Sequence, residues 1–248
     1  MTQQTTQQNI IFDLDDTLIY CNKYFYLIIE QFLDLMETWF HTYDIRTEHI
    51  KKKQIDIDLE RVNRDGFVSE HFPESFVDTY RYFSVLHGRP VHPKEEEQLM
   101  QLGRSVYEQP VEPYPGMFET LSHLREEGHT LSLYTGGEIL IQQRKIDEMK
   151  LREFFHDRIY IRQHKNREAL ESILYEGQFD RQKTWMIGNS LRTDVTPALE
   201  AGLSVIYLKQ QNEWKYNMVD YTLDPDATLY TVTSLNDIPE VLNQHLLS

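Results

Sequence analysis

Hydrophobic and polar positions follow two different rhythms along the 248-residue chain. Between residues 21 and 109 apolar side chains recur mostly at spacings of three and four, the period of amphipathic helices. After about residue 116, short apolar runs typical of buried strands alternate with helical stretches. Such alternation predicts an α/β fold whose mainly parallel sheet is covered by helices on both faces.

The second rhythm predicts the individual elements of that fold. A first strand lies at residues 10–12, and later strands are expected at residues 130–134, 158–161, 184–187 and 204–208. Helices are expected at residues 117–127, 138–149, 167–175 and 193–201, followed by a last strand and helix within residues 228–245. Residues 214–226 follow neither rhythm and are expected to form an irregular segment.

The helical block is expected to be an insertion into the α/β domain. The predicted α/β domain comprises residues 1–20 and 110–248, and the predicted all-helical domain comprises residues 21–109. Pro110, Pro113 and Pro115 follow the block, and three prolines within six residues form a stiff linker.

Composition narrows the class of partners. The chain has 25 Lys and Arg against 40 Asp and Glu, a formal charge of -15, which argues against nucleic acid as a partner. No apolar run approaches the roughly 18 residues of a membrane helix, and residues 1–8 lack the apolar region of a signal peptide. The single Cys21 cannot form an internal disulfide, so a cytoplasmic protein with no membrane partner is expected. Oligomeric state stays open.

Three acids follow the first predicted strand directly. Asp13, Asp15 and Asp16 come immediately after the apolar run Ile10-Ile11-Phe12. Carboxylates this close repel one another, so they either shift their pKa values apart or share a metal ion. A structural alternative exists, since Asp and Thr also end strands and cap helices.

Other predicted strand ends carry groups suited to phosphate. Thr135 can donate a hydroxyl, and Gly136 and Gly137 would let backbone N–H groups approach an anion at a helix N-terminus. Lys165 follows a predicted strand, whereas Lys183 precedes one and so lies at the wrong edge of the sheet. An ordinary turn and a solvated lysine are the structural alternatives.

The fourth predicted strand ends in Gly188-Asn189-Ser190, with Asp194 four residues on. This run has an alternative as a helix cap. Ligands of parallel sheets bind outside the carboxyl ends of the strands, where all these groups are expected to meet. Together they indicate a site for phosphate and magnesium.

The order of these motifs resembles that of the haloacid dehalogenase superfamily. The resemblance rests on Ile-Ile-Phe-Asp-Leu-Asp-Asp-Thr-Leu at residues 10–18, Tyr-Pro-Gly-Met at 114–117, Gly-Asn-Ser-x-x-x-Asp at 188–194 and Ala-Leu-Glu-Ala-Gly at 198–202. It covers residues 9–20 and 114–208, and the helical block stands where that superfamily places its type-one cap. The resemblance implies a Rossmann-like core with an inserted helical cap domain.

The resemblance also implies a mechanism. Asp13 would attack a phosphate monoester and form an aspartyl phosphate, and Asp15 would act as general acid and then general base. The presence of Asp15 favours phosphate transfer over carbon–halogen cleavage, because halide leaves without a proton. Phosphoryl oxygens would be bound by four residues: Thr135, Gly136, Gly137 and Lys165.

A magnesium ion is the cofactor that the resemblance implies. Its ligands would be an oxygen of Asp13, the backbone carbonyl of Asp15 and a group from Asn189 or Asp194. Two residues depart from the commonest family pattern. Asn189 stands where an aspartate often occurs, which removes a negative charge, and Gly136 stands where a polar residue often occurs.

The sequence predicts a magnesium-dependent phosphatase acting on a small phosphorylated metabolite. Two alternatives remain open: a phosphomutase of the same superfamily, and a weakly active phosphate-binding regulatory module. Specificity would lie in the cap, which would exclude water and favour small substrates. Residues that could face the site, each with a structural alternative, are Tyr20, Tyr24, Tyr80, Arg81 and Arg89.

Overall fold

The computed structural model describes residues 7–221 and 227–247. The chain divides into two compact units. The core unit comprises Met1–Asn22 and Val111–Ser248, and the helical unit comprises Lys23–Pro110. Part of the segment predicted to be irregular, residues 222–226, lies outside the described residues.

Four α-helices build the helical unit. They are α1 (Asn22–Phe40), α2 (Thr47–Asp65), α3 (His71–His87) and α4 (Pro93–Arg104), followed by a short 3-10 helix at Ser105–Glu108. Glu95 and Glu96 lie in the first turn of α4, where acids complement the helix dipole. Phe32 and Phe76 stack in the core of this unit with ring centroids 4.3 Å apart.

Two residues considered for substrate contact are held inside the helical unit. The fully buried Tyr80 donates its hydroxyl hydrogen to Glu95 at 2.5 Å. Arg89 donates to the same carboxylate at 2.7 Å and to the Tyr80 hydroxyl at 2.9 Å. These contacts support the structural alternative for Tyr80 and Arg89.

The core unit contains a six-stranded sheet in the order β3-β2-β1-β4-β5-β6, and every neighbouring pair is parallel. The strands are β1 (Asn9–Phe12), β2 (Thr130–Gly136), β3 (Ile159–Arg162), β4 (Thr184–Gly188), β5 (Ser204–Leu208) and β6 (Leu229–Val232). The predicted Rossmann-like α/β class is thereby confirmed.

Helices of the core unit follow the strands. They are α5 (Met117–Glu126), α6 (Ile139–Glu148), α7 (Arg152–Phe155), α8 (Arg167–Glu176), α9 (Thr196–Glu200) and α10 (Ile238–Leu247). The helix expected at residues 193–201 instead begins as a π-helical turn, Leu191–Val195, before α9. The short α7 was not predicted. Within the described ranges, no helix is long and apolar enough to cross a bilayer.

Strand β1 is buried on both of its faces. Ile10 and Phe12 belong to one hydrophobic cluster, whereas Ile11 between them belongs to another on the opposite face. Alternate side chains of a strand point to opposite faces, so helices cover both sides of the sheet. The residue after Phe12 therefore emerges at the centre of the sheet edge.

The helical unit contains a buried carboxyl group whose charge opposes folding. Asp58 lies on the buried face of α2 with Gln54 and Val62. Burial raises the pKa of Asp58 to about 7, and the charge of Arg61 opposes this shift. The folded chain thus binds more protons than the unfolded chain between about pH 4 and 7, so stability falls as pH rises through this window.

We expect Asp58→Asn to stabilise the protein more at pH 8 than at pH 5. Between its unfolded and folded pKa values, Asp58 lowers the free energy of unfolding of the wild type by about 1.4 kcal/mol per pH unit. The stability difference between the variant and the wild type should therefore grow by on the order of 2–4 kcal/mol from pH 5 to pH 8. Urea unfolding at both pH values measures it. Asp44→Asn is the matched control, since Asp44 is exposed. An equal pH response in the two variants would contradict the assignment.

Candidate active site

Asp13 lies at the centre of the carboxyl edge of the sheet. It follows β1 directly, and its backbone N–H donates to the carbonyl of Ile187 in β4 at 2.9 Å. Only 6 % of the residue is exposed. The hydroxyl of Thr17 donates to Asp13 Oδ2 at 2.9 Å. The sheet and the turn after β1 therefore hold this carboxyl group in one place.

A buried lysine joins two of the predicted site acids. Lys165 Nζ lies 2.5 Å from Asp13 Oδ1 and 2.5 Å from Asp194 Oδ1. The exposed fraction of the side chain is 3 % for Lys165, 8 % for Asp13 and 0 % for Asp194. Lys165 follows β3, two strands away from β1, and its ammonium passes 4.9 Å above the ring of Tyr134 in β2. We call Asp13, Lys165 and Asp194 the ion triad.

Burial and charge act in opposite directions within the ion triad. Burial raises the pKa of Asp13 to about 7 although the neighbouring Lys165 lowers it, and the charge of Asp194 raises it further. Burial alone would lower the pKa of Lys165, but Asp13 and Asp194 raise it well above its usual value. Lys165 therefore keeps its proton at neutral pH and supplies the cation that two buried acids require.

Gly188 makes room for Asp194. A Cβ atom at position 188 would lie 2.3 Å from Asp194 Oδ2, which is too close for a carbon and a non-bonded oxygen. The same carboxylate oxygen accepts a hydrogen bond from the backbone N–H of Ser190 at 2.9 Å. The turn after β4 thus directs Asp194 back toward the end of its own strand, and its other oxygen meets Lys165.

Two residues of α6 surround the carboxylate of Asp15. Lys145 Nζ lies 2.7 Å from Asp15 Oδ1 and 2.9 Å from Oδ2, and Gln142 Nε2 donates to Oδ2 at 2.9 Å. Sequence reasoning missed both. Their spacing of three on a helix that follows β2 is the signal that could have found them, since it places them on one face toward the carboxyl edge.

Two of the predicted phosphate-binding residues, Thr135 and Gly137, already make hydrogen bonds within the protein. Thr135 and Gly136 are the last residues of β2, and the Thr135 hydroxyl accepts a hydrogen bond from Gln142 Nε2 at 2.5 Å. The N–H of Gly137 donates to the carbonyl of Arg162 at 3.0 Å. In this conformation the Gly137 N–H extends the sheet, while the Thr135 hydroxyl keeps its own hydrogen to donate.

The third acid of the first motif has a structural role. Asp16 has a positive φ of 58°, and its carboxylate accepts hydrogen bonds at 3.0 Å from the backbone N–H groups of Cys21 and Asn22. Burial raises its pKa to about 7, and those hydrogen bonds oppose the shift. Asp16 therefore shapes the turn after β1.

Asn189 presents its two ends to different neighbours. Its Nδ2 donates to Glu213 Oε2 at 2.9 Å, and its Oδ1 accepts from the Thr17 hydroxyl at 3.2 Å. Thr17 also faces Asp13 Oδ2, and a hydroxyl has only one hydrogen for these two oxygens. At any moment one of the two oxygens is thus left without the Thr17 hydrogen. Sequence reasoning did not identify Glu213.

This donor set suits a magnesium ion. Carboxylate oxygens of Asp13 and Asp194, the amide oxygen of Asn189 and the backbone carbonyl of Asp15 are all hard oxygen ligands. Among the described residues, no group of three His, Cys, Asp or Glu side chains is arranged to hold a metal. The site would therefore depend on its amide and carbonyl oxygens as well as its two acids.

Comparison with known proteins identifies the family. The model of the haloacid dehalogenase-like hydrolase family matches residues 10–208 of the chain. The chain therefore belongs to this family, and the resemblance drawn from its motifs is confirmed.

Relatives and solved structures agree with this family. The glyceraldehyde 3-phosphate phosphatase of Methanothermobacter thermautotrophicus is 23 % identical over 82 % of this chain and 85 % of its own. The pyrimidine 5'-nucleotidase PynA of Streptococcus pneumoniae is 22 % identical over 77 % and 76 %. A haloacid dehalogenase-like hydrolase from Xanthomonas campestris has a TM-score of 0.76 at 22 % identity, covering 98 % of each chain. At this identity the structural likeness shows the fold alone.

We expect Lys165→Met to destabilise the protein strongly. The change leaves two buried acids without their cation, which costs about 3–5 kcal/mol in unfolding free energy. Urea unfolding at pH 7 measures the loss. Lys183→Met is the control, since Lys183 is exposed before β4 and should change stability by less than about 0.5 kcal/mol. Similar losses in both variants would show that the ion triad does not stabilise the fold.

Proposed function

We propose that this chain, a phosphohydrolase of the haloacid dehalogenase-like family, is a magnesium-dependent phosphatase that hydrolyses a small phosphomonoester through an aspartyl phosphate. The observation that carries the proposal is the ion triad at the carboxyl edge of the sheet. It places a buried carboxylate beside a fixed ammonium group, where a phosphoryl group would meet a nucleophile and a positive charge together.

Asp13 would be the nucleophile. Lys165 beside Oδ1 favours its ionised form against the effect of burial. Attack of a carboxylate oxygen on phosphorus forms the aspartyl phosphate and releases the alcohol. Thr135 and Lys165 would then bind the phosphoryl oxygens as negative charge spreads over them.

Asp15 would transfer the protons. It would donate one to the leaving oxygen and later take one from the water that attacks the aspartyl phosphate. Lys145 and Gln142 hold its carboxylate by hydrogen bonds at 2.7 Å and 2.9 Å, so its position is fixed relative to the end of β1. Dehalogenation needs no such proton donor, and Asp15 thus supports phosphate ester hydrolysis.

Asp13, Asp194, Asn189 and the Asp15 carbonyl would hold the magnesium ion. When bound, this ion would neutralise charge on the phosphate and orient it. The cofactor proposal rests on the chemistry of these oxygen donors and on the family.

A small phosphorylated metabolite is the substrate class we propose. The two relatives named above are a phosphatase of a triose phosphate and a nucleotidase, so the family likeness spans sugar phosphates and nucleotides. The excess of acidic residues, with a net charge of -15, opposes long polyanionic substrates such as nucleic acid.

The central test measures phosphate release from sugar phosphates, nucleotides and an activated aryl phosphate, with magnesium or with a chelator. We expect release to require magnesium and to fall at least about 1,000-fold in Asp13→Asn, because the nucleophile is lost. Asp157→Asn, which changes an exposed acid of the same unit, should retain activity.

Other outcomes would contradict the proposal. Folded wild-type protein that releases no phosphate from any substrate with magnesium present would exclude the phosphatase. Isomerisation of a sugar phosphate that requires a sugar bisphosphate as activator, without phosphate release, would favour the phosphomutase instead. Magnesium-dependent substrate binding without turnover would favour the regulatory module.

Asp15→Asn should separate the two proton transfers. Without a proton donor, kcat/KM for a sugar phosphate should fall about 100- to 10,000-fold, whereas an activated aryl group leaves without protonation. With the aryl phosphate we expect a burst of one phenol per enzyme, then slow turnover, because no base activates the water. Stopped-flow absorbance measures the burst, and intact-protein mass after acid quench detects the phosphoryl group. Equal losses on both substrates without a burst would refute the role of Asp15.

A further inference from the structure

The loop after β5 is fastened to the turn after β4. Arg192 Nε donates to the carbonyl of Tyr216 at 2.6 Å, and the Ser190 hydroxyl donates to Asn217 Oδ1 at 3.0 Å. Both anchors join residues 215–217 to the turn that carries Asn189 and Asp194. This attachment brings Glu213, on the same loop, next to the predicted metal ligands.

Amide groups hold the carboxylate of Glu213 in place. Oε1 accepts hydrogen bonds from Asn217 Nδ2 at 2.7 Å and from the backbone N–H of Trp214 at 2.9 Å. Oε2 accepts from Asn189 Nδ2 at 2.9 Å. Asn22 Nδ2 also donates to Oε1 at 3.4 Å. The carboxylate is therefore oriented by neighbours other than Asn189 as well.

This contact determines which end of Asn189 faces the site. An ionised carboxylate only accepts hydrogen bonds, so it selects the NH₂ end of the amide and repels the oxygen end. Asn189 Oδ1 then points to Thr17, which also bonds to Asp13 Oδ2. A flipped amide would offer an NH₂ group where a cation requires an oxygen.

Glu213 also supplies the negative charge that the amide of Asn189 lacks. Asn189 offers a cation only an amide oxygen, which carries no full charge. A carboxylate that accepts a hydrogen bond from the amide increases electron density on Oδ1, as outer groups do for metal-binding side chains. Asn189 would therefore supply the oxygen ligand, and Glu213 would supply the negative charge.

We propose that Glu213 is a positioning residue for the divalent cation, which directs Asn189 Oδ1 toward Asp13 and restores negative charge to the site. The inference rests on the proposed function, because it places the cation at Asp13. It goes further in assigning a role to a residue that contacts neither the cation nor the substrate.

The test measures binding of Mn²⁺ alone, by electron paramagnetic resonance of the free ion, without substrate or turnover. Glu213→Gln should weaken Mn²⁺ binding about 10- to 100-fold. The NH₂ group of the new glutamine can face Asn189, so the NH₂ end of Asn189 is no longer selected. Glu168→Gln makes the same chemical change at an exposed position of the core unit and should bind like wild type.

The double variant Asn189→Asp with Glu213→Gln supplies the decisive result. It puts the carboxylate at position 189 and an amide donor at 213, so affinity should return to within about threefold of wild type. Asn189→Asp alone should gain little, since two carboxylates would face each other. A merely structural role for Glu213 would not be rescued at position 189. The double variant also gives a result if Glu213→Gln fails to fold.

The outcomes separate this inference from the proposed function. Wild-type affinity in folded Glu213→Gln, or no rescue in the double variant, would overturn the role of Glu213 alone. A wild-type protein that binds Mn²⁺ no better than Asp13→Asn would overturn the proposed cation site, and this inference with it.

Discussion

The buried ion triad is the constraint on which the site depends. Two carboxylates and one ammonium group share an interior where an uncompensated charge would cost several kcal/mol. Lys165 reaches Asp13 and Asp194 at 2.5 Å, so its position fixes theirs. The distances also explain why Gly188 is needed, because any side chain there would push Asp194 away from the ammonium group.

Sheet geometry explains how residues so far apart in sequence reach one another. The order β3-β2-β1-β4 places the strand before Lys165 and the strand before Asp194 on opposite sides of β1. Since all pairs are parallel, their carboxyl ends lie at one edge. Burial of β1 on both faces anchors this edge in the core, so that the polar groups after each strand lie close to one another.

Local patterns were sufficient to predict the strands and the class of fold. The strand expected at residues 204–208 coincides with β5, and that expected at residues 184–187 falls one residue short of β4. Strand signals are local, because apolar runs bounded by turns reflect burial within a few residues. The π-helical turn at Leu191–Val195 was not predicted; it carries Asp194, whose side chain meets Lys165 from a distant part of the chain.

The residues that contact the predicted site residues from other parts of the fold were harder to predict than the strands. Gln142, Lys145 and Glu213 belong to no short motif, and their roles come from contacts across the fold. A buried lysine and an exposed lysine look alike in sequence, because the difference lies in what surrounds them. The sequence therefore indicated the acids and Lys165, whereas Gln142, Lys145 and Glu213 emerged only from the structure.

Charge balance links the two ligands of the proposed reaction. A phosphate monoester near neutral pH carries about two negative charges, and magnesium carries two positive charges. Together they leave the net charge of the buried site unchanged, whereas either one alone would change it by two units where solvent screening is weak. The ion triad itself holds two carboxylates and only one ammonium group, so it does not supply the two positive charges that a phosphate monoester needs. The physical consequence is that cation and phosphate should each favour the binding of the other.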